Sequence, residues 1–302
     1  MRWVVPEAEH MAEGTLGCQG CGGALSMRLV LKDLGQDSVA VLPACCWSII
    51  DGPWPVHALD IPVLHTAFET AAVVATGVKA AKEIQGKDTT VVAWAGDGGT
   101  FDIGLQALSG AAERNEDIVF ICYDNEAYMN TGIQRSSSTP TGTWTTTTPD
   151  QRPEARPKKD IMGIIAAHRI PYAATATAAY PEDLERKVRA AMAIKGGMRF
   201  LHLLSVCPPG WKMEADQAIE VMRRAVRSKV FPLYELRNGR EYTITKWPDD
   251  LPLEDYFSLQ GRFKPLLDDP EMLELVRGNV EERWQILLGR HQRSHPELAG
   301  VE

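Results

Sequence analysis

The sequence lacks any uninterrupted apolar run near the roughly 18 residues that a membrane-spanning helix requires, so insertion into a bilayer is not expected. It also lacks an excess of positive charge. Its 32 Lys and Arg stand against 40 Asp and Glu, a formal net charge of -8. That balance argues against a chain that lives on phosphate backbones or anionic lipid, so neither nucleic acid nor membrane is an expected partner. The opening residues MRWVVPEAEH have no charged-then-apolar layout of a signal peptide, and the expected location is cytoplasmic. Cysteine is scarce: six residues, at positions 18, 21, 45, 46, 122 and 207, are too few and too unevenly placed for a disulfide-stapled scaffold. No internal repeat is present. What is present is 44% hydrophobic and 24% charged residues over 302 positions, enough to bury a sizeable core in one large domain or two modest ones.

Four short apolar runs, residues 38–42, 89–95, 118–123 and 200–206, end in Gly, Pro, Asn, Asp or Cys and read as strands buried on both faces. Residues 66–84, 101–114, 181–194 and 213–229 carry apolar residues at helical spacing with charged residues on the other face. Pro181-Glu182-Asp183 is a good helix opening, with proline in the first turn and acids near the positive helix end. Strands alternating with helices predict an α/β fold: a mostly parallel sheet with helices on both faces. Residues 136–159 have no apolar period and are rich in Thr, Pro and Ser, a long loop of the kind that is usually functional or partner-bound. After Lys229 the chain is proline-punctuated and charged, then helical over residues 271–290, which predicts a C-terminal arm over residues 231–302.

Two constellations carry chemistry. Gly96-Asp97-Gly98-Gly99 stands directly after one expected strand and before a helix, where ligands of open parallel sheets bind. Glycines admit a phosphate closely, and a carboxylate there can hold a Mg²⁺ that bridges phosphates. GDG alone also occurs in plain turns, but Asp124-Asn125-Glu126 ends another buried strand, with Asn125 28 residues beyond Asp97. The two strand ends can offer a carboxylate and an amide to one hard cation. The second constellation is Cys18-x-x-Cys21, with Cys46 25 residues later and Cys207 161 residues beyond that. Four thiolates suit a [4Fe–4S] cluster, one per iron, and the CxxC pair alone suits structural zinc equally. Cys45 and Cys46 compete for the third position, while Cys122, mid-strand, reads as a small core residue.

The segment GDGGTFDIGLQALSGAAERNEDIVFICYDNEAYMNTGIQRSSSTP resembles the thiamine-diphosphate-binding segment of the beta subunits of 2-oxoacid:ferredoxin oxidoreductases, with the pyruvate branch nearest. The resemblance extends over about residues 17–266. It implies the thiamine-diphosphate-binding fold over residues 1–230, with Gly96, Asp97, Gly98, Gly99, Asp124, Asn125 and Ala127 at the cofactor. Mg²⁺ would be held by the side chains of Asp97 and Asn125 and the main-chain carbonyl of Ala127. It also implies a [4Fe–4S] cluster on Cys18, Cys21, Cys46 and Cys207, with Cys45 a neighbour facing the other way. The implied activity is oxidative decarboxylation of a 2-oxoacid to an acyl-CoA and CO₂, with CoA as co-substrate and ferredoxin or a similar carrier as electron acceptor. Relatives that act on phenylglyoxylate or oxalate share much of the segment.

Glu69 is the local candidate for a contact to the aminopyrimidine, and Asn130 and Thr131 in MNTG are candidates for a substrate carboxylate. His65 could take part in proton transfer, although a lone histidine is more often structural. The family resemblance implies that a partner chain supplies the activating glutamate. The chain is therefore expected to be incomplete alone and to join alpha, gamma and ferredoxin-like delta subunits, with the 136–159 loop ordered at an interface. Basic residues within 152–159 and 223–229 could meet an acidic ferredoxin. Two rivals remain. An electron-transfer or assembly subunit with a vestigial thiamine site is opposed by Asp97 and Asn125, and a zinc-stapled interaction module leaves GDGG unexplained.

Overall fold

A computed structural model describes residues 5–53 and 55–298. Among the described residues eight strands form one sheet: β1 Ser38–Pro43, β2 Val63–Thr66, β3 Thr90–Gly96, β4 Val119–Asp124, β5 Tyr172–Thr177, β6 Arg199–Leu204, β7 Leu233–Arg237 and β8 Glu241–Lys246. Their order is β2-β1-β3-β4-β6-β5-β7-β8. The first six pair in parallel, and β7 and β8 add an antiparallel hairpin beside β5. Parallel neighbours need crossovers, and these put helices on both faces. Strands β1, β4, β5 and β6 are buried at every residue, which is why three of them read as continuous apolar runs.

Alternation along β3 divides the core. Val91, Ala93 and Ala95 face the helices Ala71–Ile84 and Leu105–Glu113, while Val92 and Trp94 face Gly22–Leu34 and Pro181–Ala193. The helix expected from residue 66 begins at Ala71, because residues 63–66 pair with β1 as the edge strand β2. Helix Pro181–Ala193 opens at the expected proline, with Glu182 and Asp183 in its first turn. Strand β5, YAATAT, has small and hydroxyl-bearing side chains that no hydropathy pattern marks. Thr175 Oγ1 nonetheless donates to Pro232 O at 2.7 Å, so burial costs that hydroxyl no hydrogen bond.

Within residues 231–302, expected as a C-terminal arm, β7 and β8 join the common sheet. Helix Pro270–Ser294 is capped by Asp269, whose carboxylate accepts from Met272 N at 3.0 Å, and buries Trp284, Leu287 and His291. Among the described residues no helix is long and apolar enough to cross a membrane.

The 136–159 loop has no ladder of its own, yet Ser136, Ser138, Thr139, Thr143 and Thr145 are buried. Within the chain its order comes from side-chain partners at the strand ends. Ser138 Oγ donates to Asp124 Oδ1 at 2.7 Å, Thr139 Oγ1 to Glu126 O at 2.7 Å, and Ser137 N to Asp102 Oδ2 at 3.1 Å. Backbone groups without a ladder need such partners, and buried acids at the strand ends supply them.

Candidate functional site

The carboxyl ends of β1, β3 and β4 open into a cleft of about 170 Å³, lined by Cys45, Cys46, Asp97, Tyr123 and Asn125 among others. After β3 the chain passes through Asp97 into a π-type turn, Gly98–Asp102, in place of the α-helix expected from residue 101. Two glycines make this turn possible. A Cβ on Gly104 would lie 1.9 Å from Gly99 O, and one on Gly98 would lie 2.2 Å from the Tyr128 ring. Tyr128 therefore lies across Gly98, and its hydroxyl donates to Asp102 Oδ2 at 2.8 Å.

Asp97 is almost completely buried, and its Oδ2 accepts from Ser136 Oγ at 2.5 Å. One terminal atom of the Asn125 amide lies 2.9 Å from Asp97 Oδ1 and 3.0 Å from Ala127 O. As nitrogen, that atom donates to both oxygens; as oxygen, it completes a set of three converging oxygens. Adjacent oxygens of an octahedral Mg²⁺ bonded at 2.0–2.1 Å sit roughly 2.9 Å apart, so the donor set fits this ion after a turn of one amide. Electrostatics agree. Burial, and next the Asp124 charge, hold the Asp97 carboxyl well above its ordinary range, a state that a bound cation would reverse.

Asp124 does not share this role, and its expected place at the cofactor is corrected to one beneath the loop. Its Oδ2 pairs with Lys158 Nζ at 2.6 Å and His202 Nε2 at 2.7 Å. Burial would raise its pKa, but Lys158 and then His202 outweigh burial and keep it ionised. Lys158 also binds Glu126 Oε1 at 2.8 Å, and Glu126 stands in the left-handed region at φ 67°. Trp211 Nε1 donates to Asn125 O at 2.7 Å, fixing the backbone between Asp124 and Ala127.

The cysteines come from three places on the same sheet edge. Cys21 caps helix Gly22–Leu34, its sulfur accepting from Ala24 N at 3.4 Å. Gly22 N donates to Val206 O at 3.0 Å, so Cys21 lies beside the chain that leads from β6 to Cys207. Only glycine permits this approach, because a Cβ on Gly22 would lie 2.6 Å from Val206 N. The Cys46 thiol is pushed up to about 12 by burial, then by Cys45, Cys207 and Cys21. Cys207 is pushed up to about 11 by burial and feels Cys21 and Cys18. Cys18, Cys21, Cys46 and Cys207 thus share one neighbourhood. Cys45, beside Cys46 on the cleft wall, is pushed up by burial and lies near Tyr123. Cys122 is a fully buried core thiol. Among the described residues no three His, Cys, Asp or Glu side chains gather at single-ion distance.

Glu69 is exposed, in the turn before helix Ala71–Ile84, and does not line the cleft; its neighbour Phe68 does. Asn130 and Thr131 are exposed at the cleft mouth. His65 is held by Asp51, at 3.3 Å, away from these groups. Several members of the two basic clusters are engaged within the chain, whereas Arg152, Arg156 and Arg223 are exposed. Lys158 is buried on Asp124 and Glu126, Arg227 pairs with Asp249, and Lys229 with Glu281. Ser136, Tyr128 and Trp211 escaped sequence reasoning, since each reaches the site through contacts distant in the chain.

The family described as thiamine pyrophosphate enzyme, C-terminal TPP binding domain, matches residues 51–203. The chain is 50% identical over 297 residues to the ketoisovalerate oxidoreductase subunit VorB of Pyrococcus furiosus, covering 95% of this chain and 94% of that protein. It is 48% identical over 270 residues to the pyruvate synthase subunit PorB of Methanothermobacter marburgensis, covering 88% and 93%. Among solved structures it shares a fold with the 2-oxoglutarate:ferredoxin oxidoreductase from Magnetococcus marinus, with a TM-score of 0.58 and 24% identity over 74% of this chain and 82% of that one.

Proposed function

The chain belongs to the beta subunits of the 2-oxoacid:ferredoxin oxidoreductases, and from that premise we propose that it carries the diphosphate side of a thiamine diphosphate site and one [4Fe–4S] cluster. Thiamine diphosphate, when bound, would supply a nucleophilic carbon and an electron sink for decarboxylation. Asp97, Asn125 and the Ala127 carbonyl would hold Mg²⁺, and the backbone N–H groups of the Gly98–Asp102 turn would be available to the diphosphate. Asn130 and Thr131, at the mouth, orient the substrate carboxylate. Cys18, Cys21, Cys46 and Cys207 would hold the cluster, beside the cleft that Cys45, Cys46 and Tyr123 line. The observation that carries this reading is the three-oxygen set on β3 and β4 beside four thiols at neighbouring strand ends. A zinc ion with bonds of about 2.3 Å would need its thiolates around a single point, whereas a cubane spreads them over four irons.

Glu69, exposed and off the cleft, leaves the aminopyrimidine-activating carboxylate to a partner chain. The working enzyme is therefore an assembly with alpha, gamma and ferredoxin-like delta subunits. It oxidises a 2-oxoacid with CoA to an acyl-CoA and CO₂ and reduces ferredoxin or a similar carrier. Pyruvate is favoured by the segment that ends in RSSSTP. The ketoisovalerate relatives support a branched-chain 2-oxoacid as the second reading. The deciding experiment is anaerobic purification of the native complex, metal analysis, and assay of pyruvate, ketoisovalerate, phenylglyoxylate and oxalate with a viologen dye, with and without CoA. Iron without zinc and CoA-dependent oxidation of pyruvate are expected. Zinc in place of iron, or no turnover with any 2-oxoacid, would overturn the reading.

A further inference from the structure

Glu126 stands in the chain between two of the proposed cation ligands, Asn125 and the Ala127 carbonyl, and does not itself line the cleft. Its backbone is left-handed, at φ 67°. A residue with a Cβ is strained in that region, and glycine or asparagine is its usual occupant. The turn at Glu126 has a consequence for both neighbours. One terminal atom of the Asn125 amide comes to 3.0 Å from Ala127 O and 2.9 Å from Asp97 Oδ1, so three ligand groups converge on one point.

Every polar atom of Glu126 is tied. Its N–H donates to Asp124 Oδ1 at 3.0 Å, and its carbonyl accepts from Thr139 Oγ1 at 2.7 Å. Its buried carboxylate accepts from Lys158 Nζ at Oε1, 2.8 Å away, and from Arg262 Nη2 at Oε2, 2.6 Å away. Such charge-assisted hydrogen bonds are the strong ones. Lys158 comes from the 136–159 loop and Arg262 from the C-terminal region, so two distant segments close on one side chain. The Arg262 guanidinium also stacks 3.5 Å from the centre of the Trp211 ring, whose indole N–H donates to Asn125 O at 2.7 Å. Asp124 and Glu126 meet Lys158 and Arg262, two carboxylates against two cations, so the group gives the cleft position rather than net charge.

We infer that Glu126 is a positioning residue for the Mg²⁺ of the thiamine site: clamped by Lys158 and Arg262, it holds the left-handed backbone that aims the Asn125 amide and the Ala127 carbonyl at one ion. The inference rests on the Mg²⁺ reading above. Mg²⁺ demands near-octahedral geometry, so a ligand set held in place before the ion arrives binds it more tightly than one that must be ordered on binding. Glu126 touches neither ion nor substrate and acts only through its two neighbours.

The test uses the assembled complex, purified anaerobically, with Mg²⁺ titrated at fixed thiamine diphosphate and cofactor binding measured by equilibrium dialysis, well below the melting temperature of each variant. Glu126→Gln should need about 10–100-fold more Mg²⁺ for half-saturation, the usual loss when a group that orients metal ligands is removed. Saturating Mg²⁺ should restore full binding, because the ligands themselves are intact. Glu126→Gly relieves the backbone but removes the clamp, and should lose affinity as well. The double variant Glu126→Gln, Arg262→Gln leaves Asp124 and Lys158 as a matched buried pair and should show the same loss even if the single variant fails to assemble. Thr139→Val, which alters no charge, frees the Glu126 carbonyl and should show a smaller loss that Thr139→Ser restores. Native Mg²⁺ affinity in Glu126→Gln, in Glu126→Gly or in the double variant would overturn the inference, and where none of these assembles, native affinity in Thr139→Val would do so. Cofactor binding that needs no Mg²⁺, or that is native in Asp97→Ala, would instead overturn the Mg²⁺ reading, whatever Glu126 does.

Discussion

Asp97 and Asn125 hold each other in the absence of a cation, and the cost of that arrangement depends on pH. The Asp97 carboxyl titrates well above its ordinary 3.8 because of burial and Asp124. The native state therefore keeps a proton that the unfolded chain has lost. Its contribution to stability is fully present below the unfolded pKa and is lost as pH rises through the folded one. Mg²⁺ removes that loss by replacing the proton, so it should raise the melting temperature more near neutral pH than in mild acid. Asp97→Asn should flatten this difference, and thermal unfolding with and without Mg²⁺ measures it. Asp97→Ala should lower thiamine diphosphate affinity by orders of magnitude, about 3–5 kcal/mol by analogy with a broken buried pair, at unchanged iron content. Cys45 and Cys46 are adjacent and both line the cleft, and the cluster reading assigns a ligand role only to Cys46. Iron analysis of anaerobically purified variants should find the metal lost in Cys46→Ala and kept in Cys45→Ala; the reverse pattern would exchange their roles.

Glycines at the level of the element show how one substitution takes opposite signs. Gly104 closes the π-type turn, and a Cβ there would lie 1.9 Å from a backbone oxygen that cannot move aside. Gly104→Ala should cost roughly 1–3 kcal/mol or more and weaken thiamine diphosphate binding. Gly278 sits in helix Pro270–Ser294, and a Cβ there would meet nothing within 4 Å. Gly278→Ala should stabilise the protein by about 0.5–1 kcal/mol, from helix propensity and a less free unfolded chain. Denaturant unfolding of the two variants side by side distinguishes a turn built around glycine from one that tolerates a side chain.

At the scale of the whole molecule, Lys158 joins parts that are distant in the chain. It neutralises Asp124 at the end of β4 and Glu126 on the next loop, while Arg262 reaches Glu126 from the C-terminal region. Lys158→Gln leaves two buried carboxylates short of a cation and should cost several kcal/mol, roughly 3–5, in urea unfolding. The assembly adds a further level. This chain alone, reconstituted with iron, sulfide, Mg²⁺ and thiamine diphosphate, should bind its cofactors but show no turnover with 2-oxoacids until its partner subunits are added. Turnover equal to that of the native complex would show that no partner carboxylate is needed.

Strands β1, β3, β4 and β6 were legible in the sequence because a parallel strand buried on both faces is a continuous apolar run, a property of local composition. GDGG and Asn125 at two strand ends, and CxxC with two distant cysteines, were legible for the same kind of reason: a strand end and a glycine turn are local events. Only the tertiary structure decided which neighbouring acid faces the cleft, Asp97 with Asn125 or Asp124. It also decided that Ser136 reaches back to Asp97, and that Arg262 lies over Trp211 and pairs with Glu126. Strand β5 escaped as well, since its Ala and Thr side chains are made apolar by the partners they meet rather than by their own chemistry. Periodicity reports whether a residue is buried; which residue it is buried against follows from strand order and crossovers, and those are set by the packing of the whole chain.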